Sequence, residues 1–467
     1  MDFFTKIKRM RINWPITLLA SLMAVLLVIQ IISLNGRLLS QNKDRSRRDL
    51  YEEEVQYGNR ANVESDQDFI NTGSNNIHPR NSVNVNSQGD ESPLVDSTIS
   101  KPCPAYNQEV VEKYHNIWMW ANKNINSDEL YPDSPEVDGV LDALHKAPIV
   151  KVDILDLDNF EAGTSGKWIL TLAGGQKAVF KPLMEKMGEP KAHGYCNYGY
   201  EMPSSEIAAW RLLRLLDIRN APYAVGRKVN LRTEIIPAAT PKFMRKLVIK
   251  EDPDKVCYVD KCPFCKTENQ LCPRDLRIIG SVVYWVPRKL KQHTRRPLFM
   301  PFQIPRRKKY WGSIGFNNKT FCNMIPKIPP YGNPEYFRDL FDFAVFDYLT
   351  YHYDTKHYTI ADHSEAHGLT VRLDHGRTFC VHRKDEDQVF LAPIYQCCTI
   401  RRKLFEKLQE FKENKLSDAL RDALKEDPLY PILVEQHYQA IDRRYNKIMD
   451  TFDKCAQAQK GYASILL

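Results

Sequence analysis

Residues 167–182 read KWILTLAGGQKAVFKP. Lys167 to Leu172 alternates apolar and polar positions and is rich in strand-forming residues. Ala173 to Gln176 carries a Gly-Gly turn signal, and Lys177 to Lys181 reads as a second strand that Pro182 ends. A lysine therefore closes a strand that follows a glycine turn. Working outward, residues 204–217, SSEIAAWRLLRLLD, keep approximate helical spacing through Ile207, Leu212, Leu215 and Leu216. Ser204 or Ser205 is the candidate N-cap. Val225 to Leu231 and Ile278 to Val286 read as further strands. From Pro334 onward the pattern turns helical, over 335–351, 400–426 and 430–456. A strand-rich half followed by a helix-rich half predicts an α+β protein of two lobes with a cleft between them.

The whole chain has 467 residues, of which 43% are hydrophobic and 27% charged. That composition excludes a mainly disordered chain and a polytopic membrane protein. The formal net charge of +8 is too modest to point to nucleic acid, and no solenoid repeat is present. Residues 15–34, PITLLASLMAVLLVIQIISL, carry no charge and follow Lys6, Lys8, Arg9 and Arg11. A run of that length spans a bilayer core, and the basic flank keeps residues 1–14 in the cytosol. Asn35-Gly36-Arg37 offers no clear signal-peptide cleavage site. The expectation is a single-pass signal anchor of type II with everything after it luminal. Residues 35–101 are polar, without period, and read as a flexible stem. The globular part follows, 102–287 as an N-terminal segment with the strand-rich lobe and 288–467 as the helical lobe.

All 11 cysteines lie at or beyond Cys103. Cys257, Cys262, Cys265 and Cys272 could by themselves hold zinc. Behind a signal anchor, disulfides are the better reading. A bond between the adjacent Cys397 and Cys398 would be strained, so each reaches a distant partner, with Cys322 and Cys455 available. Asn318-Lys319-Thr320 is a glycosylation sequon suited to a luminal domain.

Phosphoryl transfer needs a cation on the phosphates, a carboxylate to hold that cation, a metal carboxylate and a base for the acceptor hydroxyl. Strand Lys, helix Glu, loop Asp and strand-end Asp is the order found in kinases. Here Lys181 ends a strand, Glu206 opens the next helix, and Asp354 follows a long apolar helix. Asp374-His375-Gly376 follows the apolar strand Leu369 to Leu373. Taken singly, a surface lysine or glutamate, a turn aspartate and an Asp-His-Gly turn are each commonplace. The ordered set carries the signal. The Gly-rich loop and His-Arg-Asp of ordinary protein kinases are absent.

From about Pro148 to Cys455 the chain resembles the secretory-pathway atypical kinases, the group that holds the Golgi casein kinase and the glycosaminoglycan xylosylkinase. The resemblance rests on residues 174–182 (GGQKAVFKP), 205–209 (SEIAA), 226–234 (GRKVNLRTE), 344–348 (AVFDY) and 391–398 (LAPIYQCC). Residues 230–234 and 391–398 are closer to the xylosylkinase branch. The resemblance implies an atypical two-lobed kinase-like fold with a disulfide-tied helical lobe. It implies ATP with Mn2+ or Mg2+ and phosphorylation of the 2-hydroxyl of xylose in the glycan–protein linkage of proteoglycans, at the Golgi membrane. Position by position, Lys181 matches the ATP-binding lysine and Glu206 the helix glutamate near metal and triphosphate. Asp354 matches the catalytic aspartate and Asp374 the metal aspartate. Val283, Tyr284, Trp285 and Val286 match the adenine hinge. The implied disulfides are Cys257–Cys272, Cys262–Cys265, Cys322–Cys397 and Cys398–Cys455, which leaves Cys103, Cys196 and Cys380 without a family partner.

Three departures accompany the match. Where the family has Arg, His and Glu in its catalytic segment, this chain has Thr355, Lys356 and Thr359. A nucleotide-contacting Gln becomes Ser165. The Asp-Asn motif becomes Asp374-His375. An active sugar kinase with galactosyl-xylose as acceptor is the first expectation. A luminal pseudokinase that binds and activates a related kinase, in a dimer or mixed assembly, and a secreted-protein Ser kinase are the alternatives. Arg288 to Lys309 holds nine Lys or Arg and no acid. It reads either as a solvated loop or as a landing surface for acidic glycans, flanked by Phe299, Phe302 and Tyr310.

Overall fold

The hairpin read from residues 167–182 lies at the centre of a five-stranded antiparallel sheet. The computed structural model describes residues 107–155, 166–183, 202–249, 255–259, 271–273, 275–292, 322–323, 325–327, 331–352, 356–360, 369–379, 381–413 and 415–467. The anchor, the stem, Ser165, Asn318, Asp354, the Cys262–Cys265 pair, Cys103, Cys196, Cys380 and the basic stretch from 293 onward lie outside these residues. Among the described residues no helix is long and apolar enough to cross a membrane.

Among the described residues two helices precede the sheet, α1 (Gln108–Lys123) and α2 (Glu136–Lys146). The sheet comprises β1 (Ile149–Ile154), β2 (Trp168–Leu172), β3 (Lys177–Pro182), β4 (Ala224–Asn230) and β7 (Arg277–Tyr284), in the order β1-β2-β3-β7-β4. The β2–β3 turn needs glycine. Gly174 and Gly175 sit at φ +83° and +91°, and a Cβ on Gly174 would fall 2.5 Å from the His115 amide nitrogen. Helix α1 covers this turn, with the Trp118 indole donating to the Ala173 carbonyl at 2.8 Å. The small pair β5 (Leu247–Ile249) and β6 (Val256–Tyr258) stands apart from this sheet. Trp168 fills the space behind the main sheet, its ring 4.9 Å from Phe180, 5.1 Å from Phe243 and 5.0 Å from Tyr258.

Helix α3 (Pro203–Leu215) is enclosed almost all round, which suits its apolar composition. Neither Ser204 nor Ser205 caps it. Met202 is the N-cap, and Pro203 takes the first helical position, where its missing N–H costs nothing. The Ser205 hydroxyl is used instead in a tertiary bond to the Thr378 carbonyl at 2.8 Å.

The second lobe is built on α4 (Pro334–Thr350), α5 (Arg402–Gln409), α6 (Lys415–Lys425) and α7 (Glu435–Ala458). It is not purely helical: β8 (Leu290–Gln292), β9 (Lys356–Ile360) and β10 (Thr370–Leu373) form a three-stranded sheet in the order β10-β9-β8. The helix expected over 400–426 is two helices, because no apolar residue between Phe411 and Leu416 continues the buried stripe and Glu413 takes φ 63°. The last helix begins at Glu435 rather than 430. Pro431 supplies no N–H, and Ile432 and Leu433 are buried ahead of the helix. Disulfides join Cys322 to Cys397 and Cys398 to Cys455, while Cys257 pairs with Cys272 beside the first sheet. The lobes meet where Asp427, just past α6, accepts the Gly226 amide of β4 at 3.0 Å. A Cβ on Gly226 would lie 2.4 Å from that carboxylate.

Candidate active site

Lys181 occupies the far end of β3 from the glycine turn. Four residues of strand, roughly 13 Å, separate the two, so the turn is a fixture under α1 and not a clasp over Lys181. The lysine is buried. Its Nζ donates to Glu206 Oε1 at 2.5 Å and to Asp374 Oδ1 at 2.6 Å. Glu206 sits in the first turn of α3, and Asp374 directly follows β10 with φ 68°, a left-handed conformation that aspartate tolerates better than most residues.

Backbone ties make this convergence reproducible. The Met202 amide donates to the Gly376 carbonyl at 2.6 Å, and the Thr378 hydroxyl answers the Ser205 bond by reaching the Ser205 carbonyl at 3.4 Å. The Phe379 amide donates to the Thr350 carbonyl at 2.7 Å, at the end of α4. The start of α3, the loop after β10 and the end of α4 are thus held as one unit.

The trio of one ammonium and two carboxylates carries a net negative charge. Burial would push the Glu206 pKa up. Lys181, helped by His375, outweighs it and holds the group at about 2. Glu206 Oε2 faces His375 Nδ1 at 3.5 Å, so each carboxylate oxygen has its own partner. Burial lowers the His375 pKa against the pull of Glu206, keeping the ring neutral, and its Nε2 is buried with no hydrogen-bond partner. The ring packs edge-on against Phe346, 5.7 Å away, and beside His352.

Beneath the trio lies a second buried charge pair that motif reading does not reveal. Asp347 on α4 is bonded to the Arg372 guanidinium on β10, and both are about 1% exposed. Arg372 is flanked by the rings of Phe343 and Phe346 at 4.3 and 4.6 Å. His352 rests on the same aspartate, its amide on the Asp347 carbonyl at 2.8 Å and its Nδ1 3.5 Å from Oδ1. A charged residue inside each of the apolar runs AVFDY and LTVRL was the available signal, since buried charges are nearly always paired.

Of the hinge residues, Val283 and Tyr284 end β7, and Trp285 and Val286 leave it. Both Trp285 backbone groups are spent on the β3 region: its amide donates to the Lys177 carbonyl at 3.1 Å, and its carbonyl accepts from Gln176 Nε2 at 2.8 Å. The Trp285 side chain is partly exposed. Asp354 lies outside the described residues. Its flanks are placed, with His352 buried and Lys356 opposite Leu373 in the β9–β10 ladder, next to Asp374. Among the described residues no group of three or more His, Cys, Asp or Glu forms a ready-made metal centre.

The profile described as Golgi casein kinase, C-terminal, Fam20 matches residues 116–464. The chain belongs to the Fam20 family. Against the glycosaminoglycan xylosylkinase of Danio rerio it is 33% identical over 73% of this chain and 81% of that protein. The pseudokinase FAM20A of Mus musculus is 29% identical over 73% of this chain and 66% of that protein. The structure of the Golgi casein kinase with Mn and ADP bound superposes with a TM-score of 0.64 at 26% identity, covering 81% of this chain and 96% of that one. The fold is thus the kinase-like Fam20 fold. Active and pseudokinase members both stand near this chain, so the intact charged trio is what bears on its activity.

Proposed function

We propose that this chain is a luminal kinase that uses ATP and Mn2+ to phosphorylate the 2-hydroxyl of xylose in the proteoglycan linkage region. The observation that carries the reading is the buried Lys181–Glu206–Asp374 trio, which unites three residues from distant parts of the chain. Sugar as acceptor rests on the xylosylkinase relatives, and the Golgi lumen and signal anchor rest on residues 1–34 and the cysteines.

Two acidic side chains that already share one cation fit a hard divalent metal, which binds through one or two carboxylates and completes its shell with phosphate oxygens. Bound there, the metal would neutralise charge on the transferring phosphoryl group. Glu206 and Asp374 would hold it. Lys181 would then turn from the carboxylates to the triphosphate, and the hinge would take the base. Asp354 would accept the xylose hydroxyl proton as that oxygen attacks the γ-phosphorus and ADP leaves. His375 would remain the partner of Glu206 once Lys181 has turned away.

The test is phosphate transfer from labelled ATP with Mn2+ to a galactosyl-xyloside. Wild type should transfer, and Asp354→Ala should not, with unfolding temperature nearly unchanged. Folded wild-type protein that transfers nothing would sink the sugar-kinase reading, and ATP binding would then separate a pseudokinase from a kinase of another acceptor.

The role of His375 predicts a contrast between two variants. His375→Asn can place an amide N–H where Nδ1 stands and should keep most Mn2+ affinity. His375→Leu fills the space without a donor and should lose about 10–100-fold. Mn2+-dependent thermal stabilisation reads this directly. Equal affinities in the two variants would assign His375 to packing alone.

A further inference from the structure

Gly226 sits inside β4, and a glycine in a strand interior weakens the strand unless something must approach its backbone closely. What approaches is the loop that follows α6. A Cβ on Gly226 would lie 2.4 Å from both Asp427 Oδ1 and Leu429 Cγ. β4 is an edge strand of the five-stranded sheet, and both backbone groups of Gly226 are taken up from outside that sheet. Its amide donates to Asp427 Oδ2 at 3.0 Å, and its carbonyl accepts from His145 Nδ1 near the end of α2 at 2.8 Å. Asp427 is 3% exposed and also accepts the Leu429 amide at 2.9 Å.

The strand register puts this glycine in line with the active site. Gly226 faces Ser281 on β7, and Ser281 faces Lys181 on β3. The three form one row across adjacent strands, so Gly226 and Lys181 are roughly 10 Å apart and their Cβ directions share one face of the sheet. That face is covered by α3, from which Glu206 reaches Lys181. The loop after α6 meets α3 as well. Glu426 approaches Arg211 at 3.5 Å, and α6 packs along α3. One short loop thus touches both the row that carries Lys181 and the helix that carries Glu206. Protection of a sheet edge alone would not call for a buried carboxylate, since an exposed charge or a bulge suffices.

We propose that Asp427 is a positioning residue for the Lys181–Glu206–Asp374 site: by clamping Gly226 from the helical lobe, it sets the row that carries Lys181 against the helix that carries Glu206. The inference rests on the reading of that trio as the metal and nucleotide site. Asp427 acts through the strand row and α3.

The test acetylates the amines of the full chain and compares Lys181 with Lys177 by mass spectrometry. Lys177 is exposed on the same strand, whereas Lys181 is buried on two carboxylates, so their labelling ratio reads how tightly the trio is held. Asp427→Asn keeps the size of the side chain and leaves one of the two amides without its oxygen. It should raise the Lys181-to-Lys177 ratio about tenfold and weaken Mn2+–ADP binding by about as much, with KM for ATP raised and KM for the acceptor unchanged. Ser417→Ala removes a 2.8 Å bond from α6 to Asp442 on α7, which lowers stability without touching the loop. It should leave the ratio and the binding as in wild type. If Asp427→Asn does not fold, Leu429→Ala decides in its place, because it unseats the loop from Gly226 and keeps the carboxylate. The same rise there supports the proposal, and no rise overturns it. A ratio unchanged in Asp427→Asn, or raised equally by Ser417→Ala, would also overturn it. Wild type that binds no Mn2+–ADP would count against the kinase reading, and the labelling ratio would still decide the role of Asp427.

Discussion

Lys181→Met should slow phosphate transfer by about 10²–10³, lower stability at neutral pH, and make the loss of stability shrink as the solution is acidified. Catalytically, the variant removes the ammonium that the proposed mechanism turns to the triphosphate. Deleting a single preorganised charge of this kind costs about 10²–10³ in rate. Structurally, methionine keeps the apolar stem but leaves Glu206 and Asp374 facing each other without their cation. Breaking a buried pair by removing one partner costs about 3–5 kcal/mol, because a bare charge remains. The pH dependence follows from Glu206. In the wild type its folded pKa of about 2 lies below the ordinary 4.5, so its contribution is complete above 4.5 and fades as pH falls towards 2. In the variant, burial acts unopposed by Lys181 and the folded pKa rises above 4.5. The folded variant then gains a proton before the unfolded chain does, and its stability improves on acidification towards 4.5. Urea unfolding at pH 7 and pH 4.5 should show the gap between wild type and variant narrowing. A gap that stays constant would mean that Lys181 stabilises through its stem. Added Mn2+ should raise the variant's unfolding temperature more than the wild type's, since the metal supplies the missing charge.

The parts of this site that the sequence reveals are those encoded over short distances. A strand, a Gly-Gly turn and a strand ending in lysine occupy 16 residues, 167–182, and the alternation of side chains specifies them locally. The helix with Glu206 is legible in the same way. What is not legible depends on partners far apart. The Ser205–Thr378 bond spans 173 positions and turns a predicted helix cap into a tertiary tie. His375 reads in the chain as a departure from a family motif. Only the fold shows that it fills the second oxygen of Glu206. The break between α5 and α6 was visible as a polar run, but helical periodicity on both sides of it concealed the interruption. The N-terminal helices α1 and α2 became interpretable only through what they cover, the glycine turn and the edge of the sheet.

The largest effect on stability outside the trio is expected at Arg372. Its guanidinium is closed in by Asp347 and two phenylalanine rings, and its Nε and Nη1 have no hydrogen-bond partner. A buried ion pair with donors left over is expensive to keep and more expensive to break. Arg372→Met should therefore cost about 3–5 kcal/mol, mostly the penalty of a buried Asp347 carboxylate that has lost its guanidinium. Adding Asp347→Leu removes that charge and should recover most of the loss, since a well-packed apolar pair often matches a buried ionic one. The double-mutant cycle should accordingly give a coupling of more than about 2 kcal/mol. Activity should behave differently. His352 rests on the Asp347 carboxylate through Nδ1 and on its carbonyl through the amide, and it introduces the segment that carries Asp354. The double variant keeps the carbonyl contact and loses the carboxylate, so it should fold well and still transfer phosphate slowly. Recovery of stability without recovery of rate would show that the pair exists to orient the segment after α4. Recovery of both would reduce it to a packing element that apolar residues replace.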